Sequence, residues 1–266
     1  MARIAVAATA PFGADVLERL AAQHEVTALL TRADSRAGRG RRVAASPAKA
    51  VAERLGIPVL QPERPAAGLE LDAPTVVVCA YGLLIPAALL AERLWLNVHP
   101  SLLPRWRGAA PVERALLAGD RQTGVTIHET VPELDAGPIA AQGAFPVGES
   151  DDAGEVYRRA AEVAARLVDG VLADPSPRFE PQQGETTYAA KLEPADRALD
   201  LSRPAVELVR VVRALSPHIG ARAVLEGRPV TVWSAQIGAD GAFEPLEVQP
   251  EGGRRMPVDA WRRGLR

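Results

Sequence analysis

The sequence predicts an α/β protein, an open and mostly parallel sheet followed by a small β-rich domain, and three observations predict it. Apolar, β-branched runs alternate with stretches of helical periodicity up to about residue 173. Composition then shifts at 174–184, where Pro175, Pro177 and Pro181 stand with Gln182, Gln183 and Gly184. Beyond residue 203 one amphipathic stretch precedes short strand candidates separated by glycine-containing turns.

Each element has its own warrant. Residues 3–8 read as a buried first strand, and 13–23 as a helix with Val16, Leu17 and Leu20 on one face. Residues 25–30 form a second strand. Ser46-Pro47 then opens a helix, with serine at the cap and proline in the first turn, that stops at Gly56. Residues 57–60 are a short strand, and 75–80 (Thr-Val-Val-Val-Cys-Ala) suit a strand buried on both faces. Residues 94–98 are the next strand, 108–119 a helix and 124–130 another strand. A long helix covers 151–172, with Val156, Ala160, Val163 and Leu167 aligned. In the tail, Val206, Val209, Val212 and Leu215 mark a helix, with strands at 221–225, 230–234 and 243–248. The expected domains are 1–183, a linker at 184–202, and a small domain at 203–266.

Bulk properties narrow the function classes. The chain has 266 residues, 47% hydrophobic and 24% charged, with net charge −2, which disfavours a generic nucleic-acid binder. No apolar run reaches the roughly 18 residues of a spanning helix, so no membrane association is expected. The first residues lack the pattern of a signal peptide. Cys79 is the only cysteine, so no intrachain disulfide or multi-cysteine zinc site is possible; a cytoplasmic setting and no metal are expected.

Two segments carry chemistry. In Leu96-Asn97-Val98-His99-Pro100-Ser101-Leu102-Leu103-Pro104, Asn97 and His99 are two apart at a strand end and share a face. The carboxyl end of a parallel strand is where open α/β sheets bind ligands. Alone, Asn-X-His also fits a turn asparagine and a loop histidine. The second segment, Val131-Pro132-Glu133-Leu134-Asp135-Ala136-Gly137-Pro138, reads as a turn aspartate or as a carboxylate delivered to orient His99.

Together these segments resemble the signature of the 10-formyltetrahydrofolate-dependent formyltransferases, through Asn97-X-His99-X-Ser101-Leu102-Leu103-Pro104-X-X-Arg107-Gly108 and the Asp-X-Gly element at Asp135. Ser101–Val112, Asp120 and Gly124-Val-Thr-Ile127 are similar to the methionyl-tRNA formyltransferases in particular. So are Tyr81-Gly82-Leu83-Leu84-Ile85-Pro86, Tyr188-Ala-Ala-Lys191-Leu192 and Asp200. The likeness runs from about Ile4 to Met256. It implies a Rossmann-like formyltransferase domain followed by a small barrel of the OB type. It also implies 10-formyltetrahydrofolate as co-substrate, Asn97, His99 and Asp135 as the catalytic trio, and Ser101, Leu102, Leu103 and Pro104 as a folate-binding loop. Tyr81, Gly82 and Leu83 are implied as further pocket lining. A monomer is expected.

The acceptor is read from a basic loop. Thr31-Arg32-Ala-Asp-Ser-Arg36-Ala-Gly38-Arg39-Gly40-Arg41-Arg42 places five arginines around two glycines. Such a loop suits either a solvated surface or phosphate contact. It resembles the insert of methionyl-tRNA formyltransferases, which implies that Arg36, Arg39, Arg41, Arg42 and Lys49 contact initiator methionyl-tRNA. Rival readings are a sugar-nucleotide amine acceptor, hydrolysis of formyltetrahydrofolate, and a non-catalytic RNA-binding protein.

Some positions depart from the family pattern. Ala8-Thr9-Ala10-Pro11-Phe12 replaces the usual Gly-Thr-Pro turn, and Ser216-Pro217-His218-Ile219-Gly220 replaces a Pro-Trp-Pro segment. The C-terminal domain is expected to be shortened, with Arg254-Arg255 and Arg262-Arg263 in a solvated tail. His24 and His128 read as ordinary surface or packing residues.

Overall fold

The computed structural model describes residues 1–37 and 42–265. The first half of the chain runs β1 (Arg3–Ala8), α1 (Pro11–Ala21), β2 (Glu25–Leu30), β3 (Ser35–Ala37), β4 (Arg42–Ala44), α2 (Pro47–Leu55), β5 (Val59–Leu60), β6 (Thr75–Cys79), α3 (Ala87–Leu90) and β7 (Leu94–His99). It continues through β8 (Arg107–Gly108), α4 (Pro111–Ala118), β9 (Gln122–Glu129), β10 (Ile139–Pro146) and α5 (Ala153–Ala173). The last part holds β11 (Tyr188–Ala189), α6 (Ala205–Leu215), β12 (Ala221–Leu225), β13 (Arg228–Ile237), β14 (Phe243–Pro250), β15 (Met256–Pro257) and α7 (Val258–Arg263). Two compact units divide it. One comprises Met1–Arg107, Gly124–Ala144 and Arg158–Thr187; the other comprises Gly108–Thr123, Phe145–Tyr157 and the chain from Tyr188 onward.

The first unit is built on a sheet of order β10-β9-β7-β6-β1-β2-β5. The pairs β1–β2, β1–β6, β2–β5 and β6–β7 are parallel, whereas β9 lies antiparallel to β7. Every residue of β6 is buried, as a strand covered on both faces requires. One face packs Ala5, Leu30, Val76, Val78, Tyr81, Leu89 and Trp95 into a core. Helix α2 forms as its sequence dictates. Ser46 Oγ accepts from Lys49 N at 3.1 Å, Pro47 fills the first turn, and Gly56 ends the helix at φ 70°. The helix expected at 108–119 starts later, at Pro111, because Arg107–Gly108 is extended as β8. A Cβ on Gly108 would sit 2.8 Å from the Ala189 carbonyl oxygen, at φ +119°, so only glycine fits there.

The second unit carries a four-stranded sheet of order β12-β13-β14-β15, antiparallel throughout. That is one strand fewer than a five-stranded OB barrel. Its core joins Leu208, Val212 and Leu215 of α6 to Val230, Val232, Val248 and Trp261. Arg254, Arg255, Arg262 and Arg263 are exposed, as expected of a solvated tail, while the segment between them packs. Val258 and Trp261 are buried in α7. The Arg255 guanidinium reaches Glu247 at 2.6 Å and stacks 5.2 Å from the Trp233 ring, and Arg262 reaches Glu226 at 2.8 Å.

Candidate active site

The site forms where β7 ends beside β9. The antiparallel register sets Asn97 opposite His128 and His99 opposite Thr126. Directly opposed residues in such a ladder share a face, so Asn97 and His128 project together. After β9 the chain turns through residues 130–138 and returns as β10. Gly137 makes that turn possible, since a Cβ there would lie 1.8 Å from the Glu129 carbonyl oxygen. Asp135 takes φ 47°, a left-handed conformation that aspartate tolerates better than most residues. Its backbone is clamped by Gln182, whose Nε2 donates to the Asp135 and Gly137 carbonyls at 2.7 and 2.9 Å. The Gln182 Oε1 in turn accepts from Arg107 Nε and Nη2 at 3.0 and 2.7 Å. The linker-like stretch 174–184 is therefore tied to the site turn.

The three expected residues come together, and a fourth joins them. Asn97 Nδ2 donates to Asp135 Oδ1 at 3.1 Å and lies 3.0 Å from His128 Nε2. His99 Nδ1 faces Asp135 Oδ2 at 3.6 Å, and His128 Nε2 lies 3.8 Å from Asp135 Oδ1. His99 and His128 are 4% and 1% exposed, which puts the cluster in a low-dielectric setting. His99 Nε2–H donates to the Trp106 carbonyl at 2.8 Å, so Nδ1 is the ring nitrogen turned to the carboxylate. His128 Nδ1–H donates to the Glu129 carbonyl at 2.8 Å. Burial pushes the His128 imidazole down to about 4, against the smaller opposing pull of the Glu129 carbonyl and of Asp135. The ring is thus neutral near pH 7. His128 is thus a buried residue, as a packing role expects, and it also hydrogen-bonds within the cluster. The signal that finds it is the strand register, which lies outside any local motif.

The loop after β7 is stapled from beneath. Ser101 is fully buried, and its hydroxyl donates to the Arg105 carbonyl at 2.7 Å. Thr126 Oγ1 donates to the Ser101 carbonyl at 2.7 Å and accepts from Leu103 N at 3.0 Å. Gln142 Nε2 holds the Leu103 carbonyl at 2.8 Å. Beside this loop opens a cavity of about 380 Å³, lined by Leu103, Ile139, Gln142, Arg178, Glu180 and Gln183 among others. That volume is in the range of small-molecule sites. Tyr81 and Leu83 lie instead with the apolar core around Leu89 and Trp95. Gly82 adopts φ 77° in the same turn. Among the described residues the buried Tyr81 hydroxyl has no hydrogen-bond partner, and burial pushes its pKa up to about 12.

Of the basic set, Arg39 and Arg41 lie outside the described residues, as do the side chains of Arg36 and Arg42. The backbones of Arg36 and Arg42 belong to a two-stranded ribbon, paired Arg36↔Val43 and Ala37↔Arg42. Lys49 is engaged at the ribbon's base: its Nζ lies 2.7 Å from Asp34 Oδ2 and 3.0 Å from Gln61 Oε1. Among the described residues no group of three His, Cys, Asp or Glu is arranged to hold a metal ion. No described helix is long and apolar enough to cross a membrane.

Comparison with known proteins places the chain in a family. Residues 2–172 match the model of the formyl transferase family, and residues 191–242 match that of the formyl transferase C-terminal domain. The methionyl-tRNA formyltransferase of Dechloromonas aromatica is 39% identical over an alignment of 293 positions, covering 98% of this chain and 95% of that protein. Two solved structures share the fold. One is a methionyl-tRNA formyltransferase from Clostridium thermocellum, with TM-score 0.66 and 13% identity over 94% of this chain and 99% of that one. The other is HypX from Aquifex aeolicus in complex with tetrahydrofolic acid, with TM-score 0.68 and 19% identity over 98% of this chain and 46% of that one.

Proposed function

The chain belongs to the methionyl-tRNA formyltransferases, and from that membership we propose that it moves the formyl group of 10-formyltetrahydrofolate to the amino group of initiator methionyl-tRNA. The observation that carries the reading is the half-buried meeting of Asn97, His99 and Asp135 at one strand end, within a chain similar along its length to that family. The chemistry needs these groups. A neutral amine attacks the formyl carbon, a new C–N bond forms, and the carbonyl oxygen becomes an oxyanion. The tetrahedral centre collapses as the bond to the folate nitrogen breaks. One proton leaves the amine and one must reach the departing nitrogen.

Asp135 is the proton acceptor and relay in this reading, and His99 its partner. Their 3.6 Å separation is longer than a hydrogen bond, and a shift of under about 1 Å makes it one. The oxyanion needs preorganised donors, with Asn97 and His99 as the candidates at this strand end, and losing one such donor typically costs about 10²–10³ in rate. The amine attacks directly, so Ser101 has no nucleophilic task, and its hydroxyl is committed to the Arg105 carbonyl.

The folate is held by the Ser101–Pro104 loop and its adjoining cavity, which Leu103 lines. Tyr81, Gly82 and Leu83 form the more distant wall. The buried, unpartnered Tyr81 hydroxyl is the polar atom there with capacity for a ligand. The acceptor arm of the tRNA is held by Arg36, Arg39, Arg41 and Arg42. Lys49 braces the base of their ribbon through Asp34. The protein acts as a monomer in the cytoplasm, where charged tRNA is found.

The test supplies 10-formyltetrahydrofolate with charged initiator tRNA, free methionine and an amino-sugar nucleotide together. Formylated methionyl-tRNA as the main product is expected. Formyl amino sugar, or free formate released without any amine, contradicts the assignment.

A further inference from the structure

Two turns beside the site hold difficult backbone: Asp135 takes φ 47° and Trp106 takes φ 63°. Left-handed residues other than glycine persist where their surroundings over-determine them, and they collect at functional sites. One short segment, residues 180–187, holds both turns. At its start Glu180 exchanges two backbone hydrogen bonds with Ile139, the first residue of β10, at 2.9 and 2.7 Å. At its end the Thr187 carbonyl accepts from Arg107 N at 2.9 Å, and the Thr187 hydroxyl accepts from Trp106 N at 2.9 Å. The Trp106 carbonyl is in turn the acceptor of His99 Nε2–H.

Between those ends stands Gln182, with its carboxamide fully engaged. Nε2 gives one N–H to the Asp135 carbonyl at 2.7 Å and the other to the Gly137 carbonyl at 2.9 Å. Oε1 accepts from Arg107 Nε and Nη2 at 3.0 and 2.7 Å. Two donors and two lone pairs are all that such a group has. Its partners also fix its orientation, since a flip would set Oε1 against two carbonyl oxygens and the NH2 against a guanidinium. Arg107 reaches the turn directly as well, from Nη1 to Glu133 at 3.7 Å, but the Glu133 side chain is 75% exposed, and ion pairs there are worth little. The Gln182 bridge is therefore the stronger tie between Arg107, at the end of the His99 loop, and the turn that carries Asp135.

We propose that Gln182 is a positioning residue for formyl transfer: by bridging Arg107 to the Asp135 and Gly137 carbonyls, it sets the Asp135 carboxylate at its working distance from His99. The inference rests on the formyl-transfer reading and adds a residue that acts through Asp135. The bond that the turn makes within itself, from Ala136 N to the Glu133 carbonyl, is long at 3.3 Å, so the turn leans on the bridge. Displacing a reacting group by about 1 Å costs on the order of 10²-fold in rate.

The test compares Gln182→Ala with Gln182→Glu in the full chain. Glutamate keeps the size and the acceptor for Arg107 and loses both donors to the turn. In single-turnover transfer from 10-formyltetrahydrofolate to charged initiator tRNA, each variant is expected to slow the chemical step by about 10²-fold, with KM for both substrates within about threefold. A Gln182→Glu variant as fast as the wild type overturns the proposal, and so does a loss confined to KM. In an Asp135→Ala background, Gln182→Ala is expected to cost less than about threefold more; losses that multiply mean that Gln182 does not act through Asp135 and overturn it too. If Gln182→Ala does not fold, Gln182→Glu carries the same readings in both backgrounds. Hydrogen exchange over residues 130–138 is expected to quicken in either variant while β1 and β6 keep their protection, and an unchanged turn overturns the bridge. A wild-type protein that transfers no formyl group to any amine refutes the formyl-transfer reading, while the exchange comparison still judges the bridge.

Discussion

The strand-end cluster and the base of the β3–β4 ribbon tie down their polar side chains in different settings. At the cluster each nitrogen of Asn97, His99 and His128 has an assigned partner within 3.8 Å, and the two histidines are almost wholly buried. At the ribbon the tie lies at the base, where Lys49 and Gln61 hold Asp34 at 2.7 and 2.8 Å and the serine cap of α2 begins. The proposed roles differ in the same sense, orientation counting at the cluster and charge at the ribbon. A transition state must be met by groups set to a fraction of an ångström, in a dry setting where each interaction is strong. A phosphate backbone needs charge within reach, and its counterions are released whatever the local detail.

That contrast predicts losses of different size and kind. The largest belongs to the cluster: Asp135→Asn keeps volume and removes the base, and kcat for formyl transfer should drop about 10³-fold. Next is Gly137→Ala, whose added methyl would overlap the Glu129 carbonyl oxygen. The turn that carries Asp135 must move, so activity should fall about 10²-fold and thermal unfolding should come earlier. Equal activity in that variant would show that the turn does not set the carboxylate. Neutralising Arg36, Arg39, Arg41 and Arg42 together should leave kcat nearly unchanged while KM for the charged tRNA rises about tenfold or more. Every arginine–phosphate pair removed should lower the log–log salt slope by about 0.7–0.9. An unchanged slope would move the RNA surface elsewhere.

The smallest effect is on stability in acid. The unfolded chain takes up a proton on His128 near pH 6.5, whereas the native ring resists it until about pH 4. Stability should therefore fall as pH drops through that window, by about 3 kcal/mol from this group, and hold steady above it. His128→Leu should flatten that part of the profile in chemical denaturation; an unaltered profile would mean that the ring is charged in the native state.

Legibility in the sequence follows how local each signal is. Strand 3–8 and strand 221–225 match β1 and β12 residue for residue, because an apolar run between turns carries its own evidence. The caps of α2 are equally readable from Ser46, Pro47 and Gly56. β10 escapes such a reading: Ile139-Ala-Ala-Gln-Gly-Ala-Phe-Pro146 is rich in alanine and glycine, and only its place beside β9 makes it a strand. The final helix escapes it too, because a few residues around Val258 and Trp261 show no period until a core exists to receive them. At the site, Asn97, His99 and Asp135 can be named from motif and resemblance. His128 needs the β7–β9 register, and Gln182 needs partners 45 and 47 residues away in the chain.

Whether His99 and Asp135 act as one unit on the formyl group is tested most directly by a double-mutant cycle in single-turnover transfer to methionyl-tRNA. His99→Ala and Asp135→Ala should each slow the chemical step by about 10²–10⁴, and the double variant should be no slower than the worse single by more than about threefold. Losses that multiply in the double variant would contradict the coupling, since two groups 3.6 Å apart would then be working without each other.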